Sequence, residues 1–106
     1  MPVLSIKDIE AREMIPGFVA RMVHMEGMTF SQWEIKAGAQ LPEHHHIHEQ
    51  LSYLVQGEFD FTLEGKTERI TPGKLVVIPS NTVHSGKAIT DCVIVDIFQP
   101  VREDYK

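Results

Sequence analysis

Four of the six histidines fall within five positions, and imidazole is a side chain that binds metal ions and moves protons. In a strand, alternate residues point to the same side, so His44 and His46 share a face and His45 turns away. His48 has the same parity as His46. Two imidazoles on one face can converge on one metal ion, which then needs one or two further ligands. The alternative is a histidine-rich surface loop that holds no ion of its own.

Two residues outside the cluster could complete such a site. The amide oxygen of Gln50 can coordinate a metal, and His84 follows an apolar stretch at 75–78. Three imidazoles and one oxygen suit a single divalent transition-metal ion, with Zn, Ni, Fe, Mn and Cu all compatible. His48 could take the place of Gln50, because a bend after His46 could point either side chain inward. All these ligands are neutral, so the ion would keep its +2 charge and attract an anion.

A carboxylate inside an apolar run is the second feature with chemical potential. Asp96 lies in the apolar run 92–98, and burying a carboxylate costs several kcal/mol unless it is paired. Alternation places Asp96 on the side of Phe98. If that side is the interior of a barrel, Asp96 is a candidate for proton transfer, Phe98 is a packing wall, and Arg102 is a fixed cation for a substrate carboxylate. The alternative is a structural ion pair between Asp96 and Arg102.

The elements that would position these residues are short strands. From about Phe30 onward, apolar stretches are broken at close intervals by Gly and Pro, which is typical of a β-sandwich or barrel. Residues 58–63 alternate apolar and polar side chains, and a turn at 64–66 predicts that 67–70 return as the partner strand. The runs 75–78 and 92–98 are too continuously apolar to have a solvent-facing side. Residues 6–14 are a possible helix, which Pro16 would end.

Composition limits the class of protein. A chain of 106 residues, 42% apolar and 24% charged, is typical of one domain. The net charge of −5 and the lack of a basic run argue against nucleic acid as a partner. Cys92 has no second cysteine to pair with, and no apolar stretch is long enough for a membrane span or a signal segment. These features predict a cytoplasmic protein with no membrane partner.

Two spaced motifs resemble those of the cupin superfamily. The first has a Gly, two histidines, a Gln and a Gly at fixed intervals: Gly38, His44, His46, Gln50, Gly57. The second has Gly73, Pro79 and His84. Three positions depart from the common pattern, since most members carry Glu, Gly and Asn where this chain has Gln50, Asn81 and Ala88.

The resemblance implies an all-β, single-domain jelly-roll barrel (a double-stranded β-helix) with a metal in its mouth, in a homodimer. On this basis residues 30–106 are the barrel. Residues 1–29 are then an N-terminal segment that packs on the barrel or on the dimer partner.

A closer resemblance is to pectin-degradation cupins of the KdgF type, carried by residues 44–50, 57–62 and above all the ending 96–105. It implies a ring-opening isomerase or lyase that converts 4,5-unsaturated monouronates, made from pectin or alginate, to linear 4-deoxy-5-keto uronates. The partner is then a small anionic sugar acid. By position, the implied metal ligands are His44, His46, Gln50 and His84. Asp96 and Arg102 are the implied catalytic residues, and Phe98 and Arg102 the substrate contacts.

Two other functions stay open at this point. One is an Fe(II)-dependent dioxygenase of a small molecule, and the neutral Gln50 argues against it because it supports a higher oxidation state less well than Glu. The other is a protein that binds sugar acids without turnover.

Overall fold

The computed structural model describes residues 3–106, and strands dominate them. The predicted all-β class is confirmed. Two short 3-10 helices, Ile6–Asp8 and Glu103–Tyr105, flank the strands. In chain order the strands are β1 Arg12–Ile15, β2 Phe18–His24, β3 Thr29–Ile35, β4 Gln40–His44, β5 Glu49–Gln56, β6 Phe59–Leu63, β7 Lys66–Ile70, β8 Leu75–Ile78, β9 His84–Ala88 and β10 Cys92–Gln99.

The strands form two antiparallel sheets that enclose one apolar core, as predicted for a jelly-roll barrel. The larger sheet has the order β1-β2-β3-β10-β5-β8, and the smaller has the order β4-β9-β6-β7. Side chains from both sheets fill the core. Its most buried members include Leu54, Phe59, Ile78, Ala88 and Ile94.

Strand β10 determines where the predicted acid lies. It pairs with β3 on one side and β5 on the other, and its side chains alternate between buried and half-buried positions. Asp96 and Phe98 are on the buried side, as the alternation predicted. The register places Phe98 opposite Gln50 on β5, so residues from two strands meet inside the barrel.

Two tight turns contain a glycine with positive φ, and the first of them is the turn predicted at 64–66. Strands β6 and β7 are joined through Glu64 and Gly65, which both have positive φ (47° and 79°), as a two-residue hairpin turn requires. Gly73 has a φ of 93°, and the N–H of Lys74 donates to the carbonyl of Thr71 at 3.2 Å. The first turn joins β6 to β7, and the second lies between β7 and β8.

The helix predicted for residues 6–14 is wrong. Only Ile6–Asp8 is helical, and Ile9 is already extended (φ −81°, ψ 133°). Pairing of β1 with β2 satisfies the backbone from Arg12 onward, and this tertiary contact overrides a weak local preference. Residues 12–24 of the predicted N-terminal segment therefore lie in the larger sheet. Within residues 3–106, no helix is long and apolar enough to cross a membrane.

The prediction that 75–78 has no solvent-facing side is also wrong for the single chain. Strand β8 lies at the edge of the larger sheet, and Val76 and Ile78 point into the core. Leu75 and Val77 point outward and are 59% and 65% exposed. Hydrophobicity alone could not show that one face of β8 is uncovered in the single chain. A strand that is apolar on both faces can be covered by another chain as well as by its own.

Candidate metal and substrate site

Two histidines of the 44–48 cluster meet a distant third histidine inside the barrel. His44 ends β4, His84 begins β9, and the two are direct partners in the smaller sheet. Their ring centroids are 4.1 Å apart, and the ring of His46 lies 5.0 Å from that of His84. One nitrogen from each ring lies within 4.8 Å of the others. The structure thus brings together His44, His46 and His84, as the resemblance to cupins implied.

Hydrogen bonds orient all three rings the same way. In each ring Nδ1 contacts a backbone carbonyl, which can only accept, so Nδ1 carries the proton and Nε2 keeps its lone pair. Such a second contact fixes the ring of a metal-binding histidine. The Nδ1-to-oxygen distances are 2.8 Å for His44 to Pro42, 3.1 Å for His46 to His48 and 2.8 Å for His84 to Thr82.

The Nε2 lone pairs of these rings are in a suitable position to bind a cation. His84 is 1% exposed, and its Nε2 has no partner among residues 3–106. The Nε2 of His46 lies 3.1 Å from Oε1 of Gln50, so two acceptors face each other when Nδ1 holds the only proton. Burial lowers the pKa of His46 to about 4, so the ring is neutral, as a ligand must be. A divalent metal ion bound between these atoms would satisfy all of them.

Hydrogen bonds from residues of the second motif fix the loop that carries His46. The N–H of Asn81 donates to the carbonyl of His46 at 2.7 Å, and Oγ of Ser80 donates to the carbonyl of Ile47 at 2.6 Å. Asn81 has a φ of 60°, a left-handed conformation that Asn tolerates better than most residues. The Asn at the position where most cupins have Gly therefore keeps the turn intact.

The other two histidines of the cluster differ in their environment. His45 is exposed and is not one of the three convergent histidines. His48 is 9% exposed, and its ring centroid lies 5.4 Å from that of His46, but it is outside the group of three convergent nitrogens. The oxygen of Gln50 is thus better placed than His48 to face the histidines, and the ligand set His44, His46, Gln50 and His84 stays a prediction.

The predicted acid lies beside this cluster. Asp96 is 8% exposed, and Nε2 of Gln50 donates to its Oδ2 at 3.3 Å and to Oγ of Ser52 at 2.9 Å. The other oxygen, Oδ1, is buried with no partner in the described part of the chain. Burial raises the pKa of Asp96 to about 7, and hydrogen bonds from Ser52 and Gln50 and the charge of Arg102 limit that rise. Such a carboxyl can both hold and release a proton near neutral pH.

The predicted cation is buried but does not pair with the predicted acid. Arg102 is 6% exposed, and its Cζ lies 4.7 Å from the ring centroid of Phe98. Its ion pair is with Asp104, at 2.8 Å, so the alternative of a structural pair between Asp96 and Arg102 is wrong. Its positive charge also contributes, after burial, to the lowered pKa of His46.

All seven predicted site residues line one cavity of about 150 Å³: His44, His46, Gln50, His84, Asp96, Phe98 and Arg102. Sequence analysis missed other residues of its wall. Met14 and Ile15 of β1 and Leu41 of β4 supply apolar surface, and Tyr105 lies beside Arg102. No spacing pattern points to the first three, whereas Tyr105 could have been noted as an aromatic residue three positions after a candidate cation.

Comparisons with known proteins agree with this architecture. Residues 31–98 match the family model described as "Cupin domain". The pectin degradation protein KdgF of Dickeya dadantii (strain 3937) is 29% identical over 65 residues, which cover 60% of this chain and 59% of that protein. The aligned part is therefore less than two thirds of that relative's length.

Solved structures extend the likeness to nearly the whole chain. KdgF from Halomonas sp. superposes with a TM-score of 0.89 and 30% identity, covering 94% of this chain and 95% of that one. An RmlC-like cupin from Shewanella frigidimarina NCIMB 400 superposes with a TM-score of 0.90 and 27% identity, covering 94% and 91%. The jelly-roll barrel and the three histidines that face its interior define the class of protein to which this chain belongs. The chain belongs to the cupin family, within which it is a cupin of the KdgF type.

Proposed function

We propose that this cupin opens the ring of 4,5-unsaturated monouronates to give linear 4-deoxy-5-keto uronates. The observation that carries the proposal is the free, buried Oδ1 of Asp96 in a cavity that also contains a cation, Arg102, and the three histidines. The names of two relatives, which refer to pectin degradation and to KdgF, support the same substrate class. The positive charge of Arg102 favours the binding of an anionic sugar acid in this cavity.

The residues that would hold the metal are His44, His46, Gln50 and His84, with Ni, Zn, Mn and Fe as compatible ions. When bound, a divalent ion would supply positive charge that favours binding of the substrate's oxygen atoms. Because the four ligands are neutral, that charge would not be offset by the protein. Arg102 would bind the carboxylate of the uronate, and Phe98 would pack against the sugar.

The reaction is an isomerisation, and its protons balance. Opening breaks the bond between C1 and the ring oxygen, and C1 becomes an aldehyde as its hydroxyl proton leaves. The ring oxygen stays on C5 as an enolate, and addition of a proton to C4 then converts C5 to a ketone. Asp96 is the proposed group that accepts the first proton and returns one to C4, a role that typically accelerates a reaction by about 10²–10⁴-fold.

Proton NMR of a 4,5-unsaturated monouronate mixed with the metal-loaded protein tests this function. We expect the vinylic signal of C4 to be replaced by a methylene signal faster than in buffer, with no oxygen consumed. An unchanged rate would refute the activity. Binding of the sugar without conversion would instead indicate a sugar-acid binding protein, and oxygen uptake would indicate a dioxygenase.

A further inference from the structure

The guanidinium of Arg102 is held firmly on one edge. Asp104 accepts hydrogen bonds from Nε at 3.0 Å and from Nη2 at 2.8 Å, the two-point geometry that planar guanidinium and carboxylate groups favour. The rings of Phe98 and Tyr105 lie against Cζ at 4.7 and 3.8 Å. Among the described residues Nη1 makes no hydrogen bond within 3.5 Å, and the arginine lines the cavity.

The segment that supplies these contacts is itself anchored to the barrel. Arg12 of β1 donates to the carbonyl of Tyr105 at 2.7 Å, and the Tyr105 ring packs edge-on against Trp33 with centroids 6.2 Å apart. The N–H of Arg102 donates to Oγ1 of Thr29, a fully buried residue, at 2.9 Å. Glu103–Tyr105 follows the region 31–98 that matches the cupin model.

Asp104 and Arg102 differ in their exposure to solvent. The side chain of Asp104 is 58% exposed, whereas that of Arg102 is 7% exposed. Asp104 does not line the cavity, so it reaches the site only through the arginine. By occupying Nε–H and one N–H of Nη2 from the solvent side, it leaves the two N–H groups of Nη1 and the second N–H of Nη2 for an anion. A cation fixed in advance loses less conformational entropy when an anion binds.

We propose that Asp104 is a positioning residue that directs Nη1 of Arg102 at the carboxylate of a hexuronate. The substrate class in this inference rests on the proposed function. The geometry allows the carboxylate to contact the end of the guanidinium and blocks a two-point contact through Nε. Removing Asp104 frees Arg102 to rotate, so the uronate has to order the arginine as it binds.

Calorimetric titration of galacturonate into the metal-loaded protein tests the proposal. We expect Asp104→Ala to raise the Kd roughly tenfold, a change of about 1.4 kcal/mol, and Asp104→Glu to restore the wild-type Kd within about twofold, because Glu can remake the ion pair. Glu103→Gln is the matched control, since Glu103 is in the same segment and its only salt bridge within residues 3–106 is with Lys106, at 3.3 Å. It should leave the Kd unchanged.

A second readout separates positioning from a loss of structure. With an unsaturated monouronate as substrate, Asp104→Ala should raise KM with kcat retained, and its thermal midpoint should stay close to that of Glu103→Gln. Failure of the wild type to bind galacturonate, or equal Kd values in all four proteins, would overturn the proposal. A Kd that depends on Asp104 in a protein without ring-opening activity would keep the proposal and refute only the reaction.

Discussion

At the scale of single residues, the parity of side chains in strands explains why sequence analysis located the site. Asp96 and Phe98 on β10 alternate with outward residues, so their buried positions followed from the apolar pattern. The meeting of His84 with His44 did not follow from parity, because β4 and β9 are far apart in the chain. Only the resemblance to cupins linked the two motifs.

The orientation of the histidine rings gives a prediction about metal content. We expect His84→Ala to lose bound metal, because it removes one of three convergent nitrogens, with the metal measured by mass spectrometry after exhaustive dialysis. His45→Ala is the matched control, since His45 is in the same cluster but exposed. Equal metal content in the two variants would contradict the assignment of His84 as a ligand.

The pairing of Arg102 with Asp104 is a residue-scale result that the sequence did not disclose. Asp96 and Asp104 are both within reach of the arginine along the chain, and the predicted alternative paired it with Asp96. The 3-10 helix Glu103–Tyr105 turns Asp104 back toward the guanidinium, and that backbone turn has no distinct sequence pattern. Oδ1 of Asp96 is therefore left without a hydrogen-bond partner among residues 3–106.

At the scale of elements, strands with a clear period and a turn residue were predicted well. The β6–β7 hairpin has alternating residues and a Gly in its turn, and the structure confirms both. The N-terminal residues were predicted poorly, because β1 is stabilised by its pairing with β2 and its residues have no strong alternation. Long-range pairing of this kind depends on the whole barrel rather than on the local sequence.

The same hairpin carries an ion pair whose effect depends on pH. Arg69 donates to Asp60 at 2.8 Å, and this hydrogen bond lowers the pKa of Asp60 below 3.8. The pair therefore stabilises the fold above that pH, and the contribution is lost as pH falls through the lowered pKa. We expect Asp60→Asn to lower Tm by about 2 °C at pH 7, since exposed pairs contribute little.

The difference between Asp60→Asn and the wild type should shrink as the pH is lowered toward 3, as measured by thermal unfolding followed by circular dichroism. Glu68→Gln makes the same change in charge on β7 without breaking an ion pair in the described residues. A Glu68→Gln variant with the same fall in Tm would show that net charge, and not the pair, causes the effect.

At the scale of the whole molecule, the larger sheet has an uncovered apolar surface. Five of its outward-facing residues on β5 and β8 are uncharged and between 42% and 65% exposed: Leu51, Tyr53, Val55, Leu75 and Val77. Charged Glu49 lies at the start of the same face of β5. Monomeric proteins rarely expose a continuous apolar surface of this kind. We propose that this surface joins two copies of the chain in a homodimer, because the apolar side chains of one copy can pack against the same side chains of another.

Val77→Glu should convert that dimer to a monomer, measured by light scattering after gel filtration, because it buries a charge at the interface. Gln40→Glu adds the same charge on β4 of the smaller sheet and should leave the mass unchanged. A wild type that is monomeric, or a Val77→Glu variant that remains dimeric, would contradict the proposed surface.

The most direct test of the account is the decay of the ultraviolet absorbance of a 4,5-unsaturated monouronate, with spontaneous opening subtracted. Wild type and Asp96→Asn are compared at equal metal content, with Asp60→Asn as a control for an aspartate on the exposed hairpin. We expect Asp96→Asn to keep its fold and lose about 10²–10⁴-fold in rate, while Asp60→Asn keeps the wild-type rate. Full activity in Asp96→Asn would contradict the role of Asp96, and a wild-type rate equal to buffer would contradict the proposed function.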